Sequence, residues 1–167
     1  MAQTYTSAAT SINSRRLPAV FKKIPYQECG FLLDYGCGKR VDHIRSAVTG
    51  AGMVYLPYDP YNQSEETNGV AKHLVRWATD HSTPVTVVCS NVLNVIDDDG
   101  TIRFIADQIE TIVERTGGTG YVTVYEGNRS GTGRQTGPDQ YQRNQPLREY
   151  LKYFRNAIIK GGVIVVG

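Results

Sequence analysis

The sequence predicts an α/β fold built on a mostly parallel β-sheet with helices on both faces. The first observation is the apolar run Phe31–Tyr35, which enters a tight turn containing Gly36 and Gly38. Residues 41–50 follow the turn and have the spacing of an amphipathic helix. Further along, strand-like and helix-like segments alternate, which is typical of a parallel sheet whose strands are joined by helices.

Each further element has its own signal in the sequence. Residues 15–24 have helical spacing with Pro18 in the first turn, and residues 99–115 have the clearest helical periodicity of the chain. Residues 85–90 are β-branched and apolar, as expected of a central strand. The remaining predicted elements are strands at residues 53–58, 121–125 and 163–166 and helices at residues 68–79 and 147–159.

The predicted sheet is small and belongs to one domain. Five strands are clear, and no segment between Tyr61 and Pro84 has the pattern of another strand. Residues 1–14 are rich in Ser, Thr and Ala and are predicted to be a flexible N-terminal segment. Residues 15–167 form the single predicted domain, because 167 residues suffice for one sizeable core but not for a separate substrate domain.

The composition bears on the partners, the metal content and the compartment that we expect for the protein. With 18 basic and 16 acidic residues the net charge is +2, which argues neither for nor against nucleic acid. The three cysteines are widely spaced, so we predict no metal site and expect free thiols in a cytoplasmic protein. No apolar stretch reaches the roughly 20 residues of a membrane helix, and residues 1–14 lack the apolar core of a signal peptide.

The turn after the first strand is the leading candidate for a ligand site. A buried strand, Gly-x-Gly and a helix together present backbone N–H groups to a nucleotide-like ligand in Rossmann-like folds. The second predicted strand leads into Asp59, whose carboxylate suits two adjacent ribose hydroxyls. The other interpretation of Asp59 is a turn residue before Pro60. We therefore expect an adenosine-containing ligand at this turn.

The run Leu-Asp-Tyr-Gly-Cys-Gly that ends at Gly38 resembles the glycine motif of class I S-adenosylmethionine (SAM) dependent methyltransferases. A dinucleotide fingerprint would have its third glycine at position 41, where Val41 stands. An acidic residue two positions before the first glycine, here Asp34, is instead the methyltransferase pattern. Residues 90–96 and 125–131 are similar to later strand ends in small bacterial and phage methyltransferases, including those linked to DNA phosphorothioation.

The resemblance covers residues 12–167 and carries expectations about fold and cofactor. It implies a Rossmann-like three-layer sandwich with a mostly parallel sheet and fewer strands than a full class I methyltransferase. It also implies SAM as the cofactor. The cofactor-binding residues that it implies are Asp34, Gly36, Cys37, Gly38, Asp59 and Asn91.

Arg40 departs from the family pattern, which commonly has a third glycine at this position. A cation at a helix N-terminus is unfavourable to the helix dipole. Three interpretations stay open: Arg40 pairs with a carboxylate of SAM or of an acidic substrate, the site has drifted and binds SAM weakly, or Arg40 points to solvent.

The acceptor side of the expected site begins at Asn91 and Asn94, after the strand that in this family faces the methyl group. Enzymes that methylate exocyclic base amines have [DNS]-P-P-[YFW] there, whereas this chain has Ser-Asn-Val-Leu, so that activity is not expected. The absence of a Pro-Cys dipeptide excludes the usual nucleophile of cytosine C5 methylation. The acceptor and the catalytic residue are therefore unassigned, with Asn91 and Glu126 as candidates for the latter.

Glu126 opens a glycine-rich segment, residues 126–138, that contains Arg129 and Arg134. Its composition favours either a substrate lid or anion-binding loop, or a disordered surface loop. Arg143 belongs to a Gln-Arg-Asn string that is similar in phage-type proteins, and it joins the substrate-loop candidates. A turn before Pro146 explains Arg143 equally well.

The function implied by the resemblance is methyl transfer from SAM to an unidentified acceptor, in a bacterial cytoplasm or in the host cytoplasm if the chain is phage-encoded. Arg40 and the missing strand favour a second class, a non-catalytic SAM- or nucleotide-binding or interaction protein. A nucleic-acid accessory factor that uses its basic residues is the third class. We expect no tight, sequence-specific binding to duplex DNA, and oligomerisation stays open.

Overall fold

The computed structural model describes residues 3–8 and 16–167 of the chain. Its strands are β1 (Phe31–Tyr35), β2 (Val54–Tyr58), β3 (Val85–Ser90), β4 (Thr119–Thr123), β5 (Arg134–Gly137), β6 (Gln140–Gln142), β7 (Ala157–Lys160) and β8 (Val163–Val166). Its α-helices are α1 (Asp42–Gly50), α2 (Glu65–Asp80) and α3 (Asp99–Thr116). Short 3-10 helices occupy Ala19–Lys22, Leu93–Val95 and Leu147–Tyr153.

A six-stranded mixed sheet with the order β2-β1-β3-β4-β8-β7 forms the centre of the protein. The strands β2, β1, β3 and β4 are parallel to one another, and β8 is antiparallel to both of its neighbours. Because β1 lies between β2 and β3, the chain builds the sheet first to one side of β1 and then to the other. The prediction of an α/β fold with a mostly parallel sheet is confirmed.

Helices cover both faces of the sheet. Successive residues of β1 point to opposite faces: Leu33 packs in a cluster with Ile105 of α3, and Leu32 packs with Ile44 of α1 and with Phe21. The predicted strands at β1, β3 and β8 are confirmed at both ends, and the predicted helices on α1, α2 and α3 are confirmed with small shifts of their ends. None of the described helices is long and apolar enough to cross a membrane.

Local signals explain where the two long helices begin. The hydroxyl of Ser64 accepts a hydrogen bond from the Thr67 N–H group (3.1 Å), so α2 begins three residues before the predicted position. The carboxylate of Asp98 accepts from the Thr101 N–H group (2.6 Å) at the start of α3. Both are N-caps, which satisfy backbone donors that the first turn of a helix leaves unpaired.

The helix predicted at residues 147–159 is wrong. A 3-10 helix occupies Leu147–Tyr153, and the chain then forms the antiparallel hairpin β7–β8. Gly161 and Gly162 supply its two-residue turn with φ angles of 57° and 74°, a conformation typical of tight hairpins. The two adjacent isoleucines of β7 are β-branched and suit a strand better than a helix.

The predictions for the N-terminal part are met only partly. The helix predicted at residues 15–24 is reduced to the 3-10 helix Ala19–Lys22, which directly follows Pro18. Within the segment predicted to be flexible, residues 3–8 lie against the β5–β6 hairpin, where the Tyr5 ring stacks on a tyrosine of β6 with centroids 5.4 Å apart. The rest of that segment and Arg15 lie outside the described residues.

The sheet ends at β2, because α2 follows where a further strand was sought. The Val54 N–H group donates to Gly30 O (2.8 Å), and Tyr58 O accepts from the Gly36 N–H group (2.7 Å), so these alternate residues of β2 face β1. Tyr55 and Pro57, which alternate with the residues that bond to β1, direct their backbone groups to the open edge. Pro57 has no N–H group to offer a further strand.

Candidate functional site

The candidate ligand site lies at the carboxyl edge of the sheet, where β1 enters its glycine turn. The N–H groups of Gly36 and Cys37 both donate to Tyr58 O, at 2.7 and 3.2 Å, so the end of β2 anchors the turn. Gly36 and Gly38 have φ angles of 78° and 72°, which other residues rarely adopt. The local backbone therefore requires the two glycines of the predicted motif.

The loop after β3 packs directly on this turn. A Cβ atom placed on Gly36 would lie 2.4 Å from Cγ2 of Val92, far inside van der Waals contact. A Cβ atom on Gly38 would meet no atom within 4 Å. Gly36 thus serves the packing of two loops, whereas the space beside Gly38 is open to a ligand.

Asp59, the predicted ribose ligand, holds the turn together through four hydrogen bonds. Its Oδ2 accepts from the Gly38 N–H group (3.0 Å) and from the Asn62 side-chain amide (3.1 Å). Its Oδ1 accepts from the backbone N–H groups of Tyr61 (2.9 Å) and Asn62 (3.0 Å). A carboxylate has about four acceptor positions, so a ribose hydroxyl has to displace one of these donors. The turn-residue interpretation of Asp59 is therefore realised in the structure.

Asp34 is buried beneath the turn. Its side chain is 2% exposed, and its Oδ2 accepts a hydrogen bond from the Tyr55 hydroxyl at 2.6 Å. Burial raises the pKa of Asp34 to about 7, the Tyr55 hydrogen bond acts in the opposite direction, and the negative charge of Asp59 adds to the increase. The Asp34 carboxyl is thus poised to change its charge near neutral pH.

Cys37 lies between the two glycines of the turn, and Arg40 follows them. The Cys37 thiol is half-buried and donates to Gly38 O at 3.5 Å. Burial, with the nearby Asp34 and Asp59, raises the pKa of this thiol, which therefore stays protonated. Arg40 is exposed just before α1. The solvent-pointing interpretation of Arg40 agrees with this position, and the other two stay open.

Asn91 and Asn94 follow β3 but have different surroundings. Asn91 is exposed and has a left-handed φ of 58°, while its N–H group donates to Thr123 O at 2.9 Å. Asn94 is 2% exposed, and its side-chain amide donates to Gln142 Oε1 at 3.1 Å. Asn91 is therefore accessible to a ligand, whereas Asn94 is buried among protein groups.

Glu126, the second catalytic candidate, holds a neighbouring loop in place. Its Oε1 accepts from the Leu147 N–H group at 2.7 Å, and its Oε2 lies 2.5 Å from Arg129 Nε. The Leu147 hydrogen bond, together with Arg129 and Arg148, lowers the pKa of Glu126. An efficient general base has a pKa near the working pH, so this environment argues against Glu126 as the base.

The three substrate-loop arginines have different surroundings. Arg129 pairs with Glu126, and Arg134 is exposed at the start of β5. Arg143 is only 8% exposed, and its guanidinium donates to Ile96 O (2.7 Å) and to the Tyr153 hydroxyl (3.1 Å). It also forms an ion pair with an aspartate of α3. Protein groups thus surround Arg143, and we leave it out of the proposed substrate contacts.

Sequence reasoning missed two amides that support the Asp59 turn. Asn68 Oδ1 accepts from the Asp59 N–H group, and Asn68 Nδ2 donates to Asp59 O, both at 2.9 Å. Gln63 Nε2 donates to Gly38 O at 2.5 Å. Asn68 lies on the buried face of α2, one turn before Ala71. A polar residue at an apolar position of the helical period was the signal that could have revealed it.

A cavity of about 500 Å³ lies along the same edge of the sheet, toward β4 and the β5–β6 hairpin. Its lining includes Tyr125, Arg134 and Tyr141. The hairpin strand β5 lies within the glycine-rich segment, residues 126–138, so part of that segment is regular secondary structure. The sequence did not predict this strand.

No protein-family model matches the chain, and no curated protein is significantly similar to it. Among the described residues, no group of three or more His, Cys, Asp or Glu side chains is placed to hold a metal ion.

Proposed function

We propose that this protein is a SAM-dependent methyltransferase that acts on an acceptor other than an exocyclic base amine. One observation carries the proposal: the turn with two left-handed glycines, Gly36 and Gly38, lies at the reversal of strand order between β2 and β3. In open α/β sheets, ligands bind in the crevice at such a reversal, outside the carboxyl ends of the strands.

The strand arrangement supports a Rossmann-like three-layer sandwich. Four parallel strands are followed by β8, which lies antiparallel between β4 and β7. This arrangement resembles a class I methyltransferase sheet from which one edge strand is absent. Helices on both faces supply the outer layers.

Two features of the turn suit SAM. The buried Asp34 carboxyl, whose pKa burial raises to about 7, is favoured in its ionised form when an ammonium group such as that of SAM approaches. In addition, Asn62 Oδ1 is buried and has no hydrogen-bond partner within the described residues, although Asn62 Nδ2 donates to Asp59. A ribose hydroxyl can replace the Asn62 amide as the donor to Asp59. The Asn62 side chain is then free to turn outward, where water donates hydrogen bonds to its Oδ1.

When bound, SAM supplies a methyl group activated by its sulfonium centre, so the protein mainly has to provide position and a dry site. Asn91 is exposed just after β3, and this proposal assigns it to contact with the acceptor. Glu126 keeps the loop after β4 in place through the Leu147 N–H group and does not serve as the base. The release of the acceptor proton to water is then sufficient for acceptors that are already nucleophilic.

Calorimetric titration with SAM and with its demethylated product tests the proposal. Gly38→Ala adds a methyl group at the open position of the turn, and Gly117→Ala, at the end of α3, is the matched control. Both glycines have left-handed φ angles, 72° and 67°, and neither Cβ would meet an atom within 4 Å. Both variants should lose about 1–2 kcal/mol of stability, and only Gly38→Ala should bind SAM more weakly. The absence of SAM binding to the unmodified protein would refute the proposal.

A non-catalytic SAM- or nucleotide-binding protein is the second candidate. It is favoured by the surroundings of Glu126, whose oxygens are engaged by the Leu147 N–H group and by Arg129 and whose lowered pKa suits it poorly as a catalytic base. Transfer of a labelled methyl group to nucleic acid, protein or metabolite pools separates the two candidates. Binding of SAM without transfer to any pool would favour the binding protein.

A further inference from the structure

The 500 Å³ cavity lies beside the candidate SAM site, on the same carboxyl edge of the sheet. Val95 and Tyr125, which follow β3 and β4, line one side, and Arg134 and Tyr141 of the β5–β6 hairpin line the other. Because the carboxyl ends of parallel strands meet at one edge, a second ligand in this cavity lies next to a ligand held over β1 and β3.

A network of buried amides builds the wall of this cavity. Gln142 Nε2 donates to Tyr125 O (2.8 Å), and Gln142 Oε1 accepts from Asn94 Nδ2 (3.1 Å). Asn144 Nδ2 donates to Thr132 O (2.9 Å). Asn94, Gln142 and Asn144 are 2%, 9% and 3% exposed. Satisfied buried networks of this kind hold one geometry, so the cavity is formed before a ligand arrives.

The lining of the cavity combines a cation, aromatic rings and amides. None of the lining residues is acidic, and Arg134 takes part in no ion pair among the described residues. Tyr125 is 64% exposed, which leaves its ring available for stacking. The amides of Asn128 and Gln140 also line the cavity and combine a donor with an acceptor, as the edge of a base requires.

We propose that this cavity binds a nucleotide unit, with its base against Tyr125 and its phosphate at Arg134. A cation pairs strongly with phosphate, and aromatic rings stack on bases of any sequence. The cavity volume falls within the range of small-ligand sites, which are about 300–1,000 Å³. The identification of this nucleotide as the methyl acceptor rests on the proposed function, whereas the binding itself does not.

Titration without SAM tests the binding directly. The probes are the four nucleoside 5′-monophosphates, the corresponding nucleosides and a single-stranded hexanucleotide. Arg134→Gln should weaken binding of the monophosphates about tenfold or more and leave the nucleosides unaffected, because only the phosphate contact is lost. Arg76→Gln, which removes an exposed arginine of α2, is the matched control and should change neither. Tyr125→Ala should weaken both classes of ligand.

The outcomes distinguish this inference from the proposed function. Nucleotide binding that depends on Arg134 supports the site even if SAM does not bind, and a tighter hexanucleotide identifies a single strand as the source. Failure of every nucleotide probe while SAM binds overturns the inference and leaves the proposed function standing. An equal loss in Arg134→Gln and Arg76→Gln, or an equal effect on nucleosides and monophosphates, also overturns it.

Discussion

Replacement of Asp34 by asparagine isolates the effect of the charge buried beneath the glycine turn. The Asp34 side chain is 2% exposed and receives one hydrogen bond, from the Tyr55 hydroxyl. Burial raises its pKa from the ordinary 3.8 to about 7. Asparagine has nearly the same shape and still accepts from Tyr55, but it cannot ionise.

The sign and size of the effect follow from the pKa difference. In the unfolded chain Asp34 ionises near pH 4, whereas in the folded protein it stays protonated until about pH 7. The folded state therefore holds the extra proton, and its stability decreases as the pH rises through this interval. At 1.36 kcal/mol per pH unit, the interval from 3.8 to about 7 amounts to about 4 kcal/mol. An unpaired asparagine N–H group costs about 1–3 kcal/mol at every pH.

Urea denaturation at pH 5 and pH 8.5 measures this difference. Relative to the unmodified protein, the free energy of unfolding of Asp34→Asn should increase by about 3 kcal/mol between the two pH values. The control Asp80→Asn changes an exposed aspartate of α2 and should show no such trend. A relative stability of Asp34→Asn that is the same at both pH values would refute the reasoning.

Three other substitutions test separate contacts. Asp59→Ala should lower the free energy of unfolding by at least about 2 kcal/mol in urea denaturation, because four donors lose a charged acceptor, and a loss below about 1 kcal/mol would contradict this. Gly36→Ala should destabilise by more than about 2 kcal/mol through its clash with Val92, and adding Val92→Ala should restore part of the loss in a double-mutant cycle. Burial opposes ionisation of Glu110, but two backbone N–H groups and Arg155 outweigh it and lower its pKa below 4.5. Its contribution is therefore present above that pH and lost as the pH falls, so Glu110→Gln should be destabilising at pH 7 and progressively less so toward pH 3.

The sequence was sufficient to predict the position of those elements whose residue pattern depends on burial alone. The strands β1 and β3 are apolar runs buried on both faces, and α3 keeps its apolar period through four turns, so their positions could be read directly. The segment that became β7 was misread because Leu147, Leu151 and Phe154 imitate helical spacing. The two glycines after β7 were the hairpin signal that should have outweighed it.

The sequence predicted where the candidate site lies, but it did not predict which groups contact one another there. Asp59 follows β2 as expected, yet its occupied acceptors depend on the approach of Gly38 and Asn62, which come from different loops. Arg143 was assigned to the substrate loop because its Gln-Arg-Asn string is similar in phage-type proteins. Its burial against backbone carbonyl groups depends on the position of the loop after β3, which local sequence does not encode.

Because β8 lies between β4 and β7 but comes last in the chain, the sheet cannot be completed until β8 has been synthesised. The chain has 40 residues (163 − 123) from the end of β4 to the beginning of β8. At synthesis rates of about 5–20 residues per second, the free edge of β4 remains without its partner strand for about 2–8 s. During that time the edge is open to other nascent chains, as any unpaired strand is. A chain that stops before β8 would lose two strands rather than one, because β7 joins the sheet only through β8.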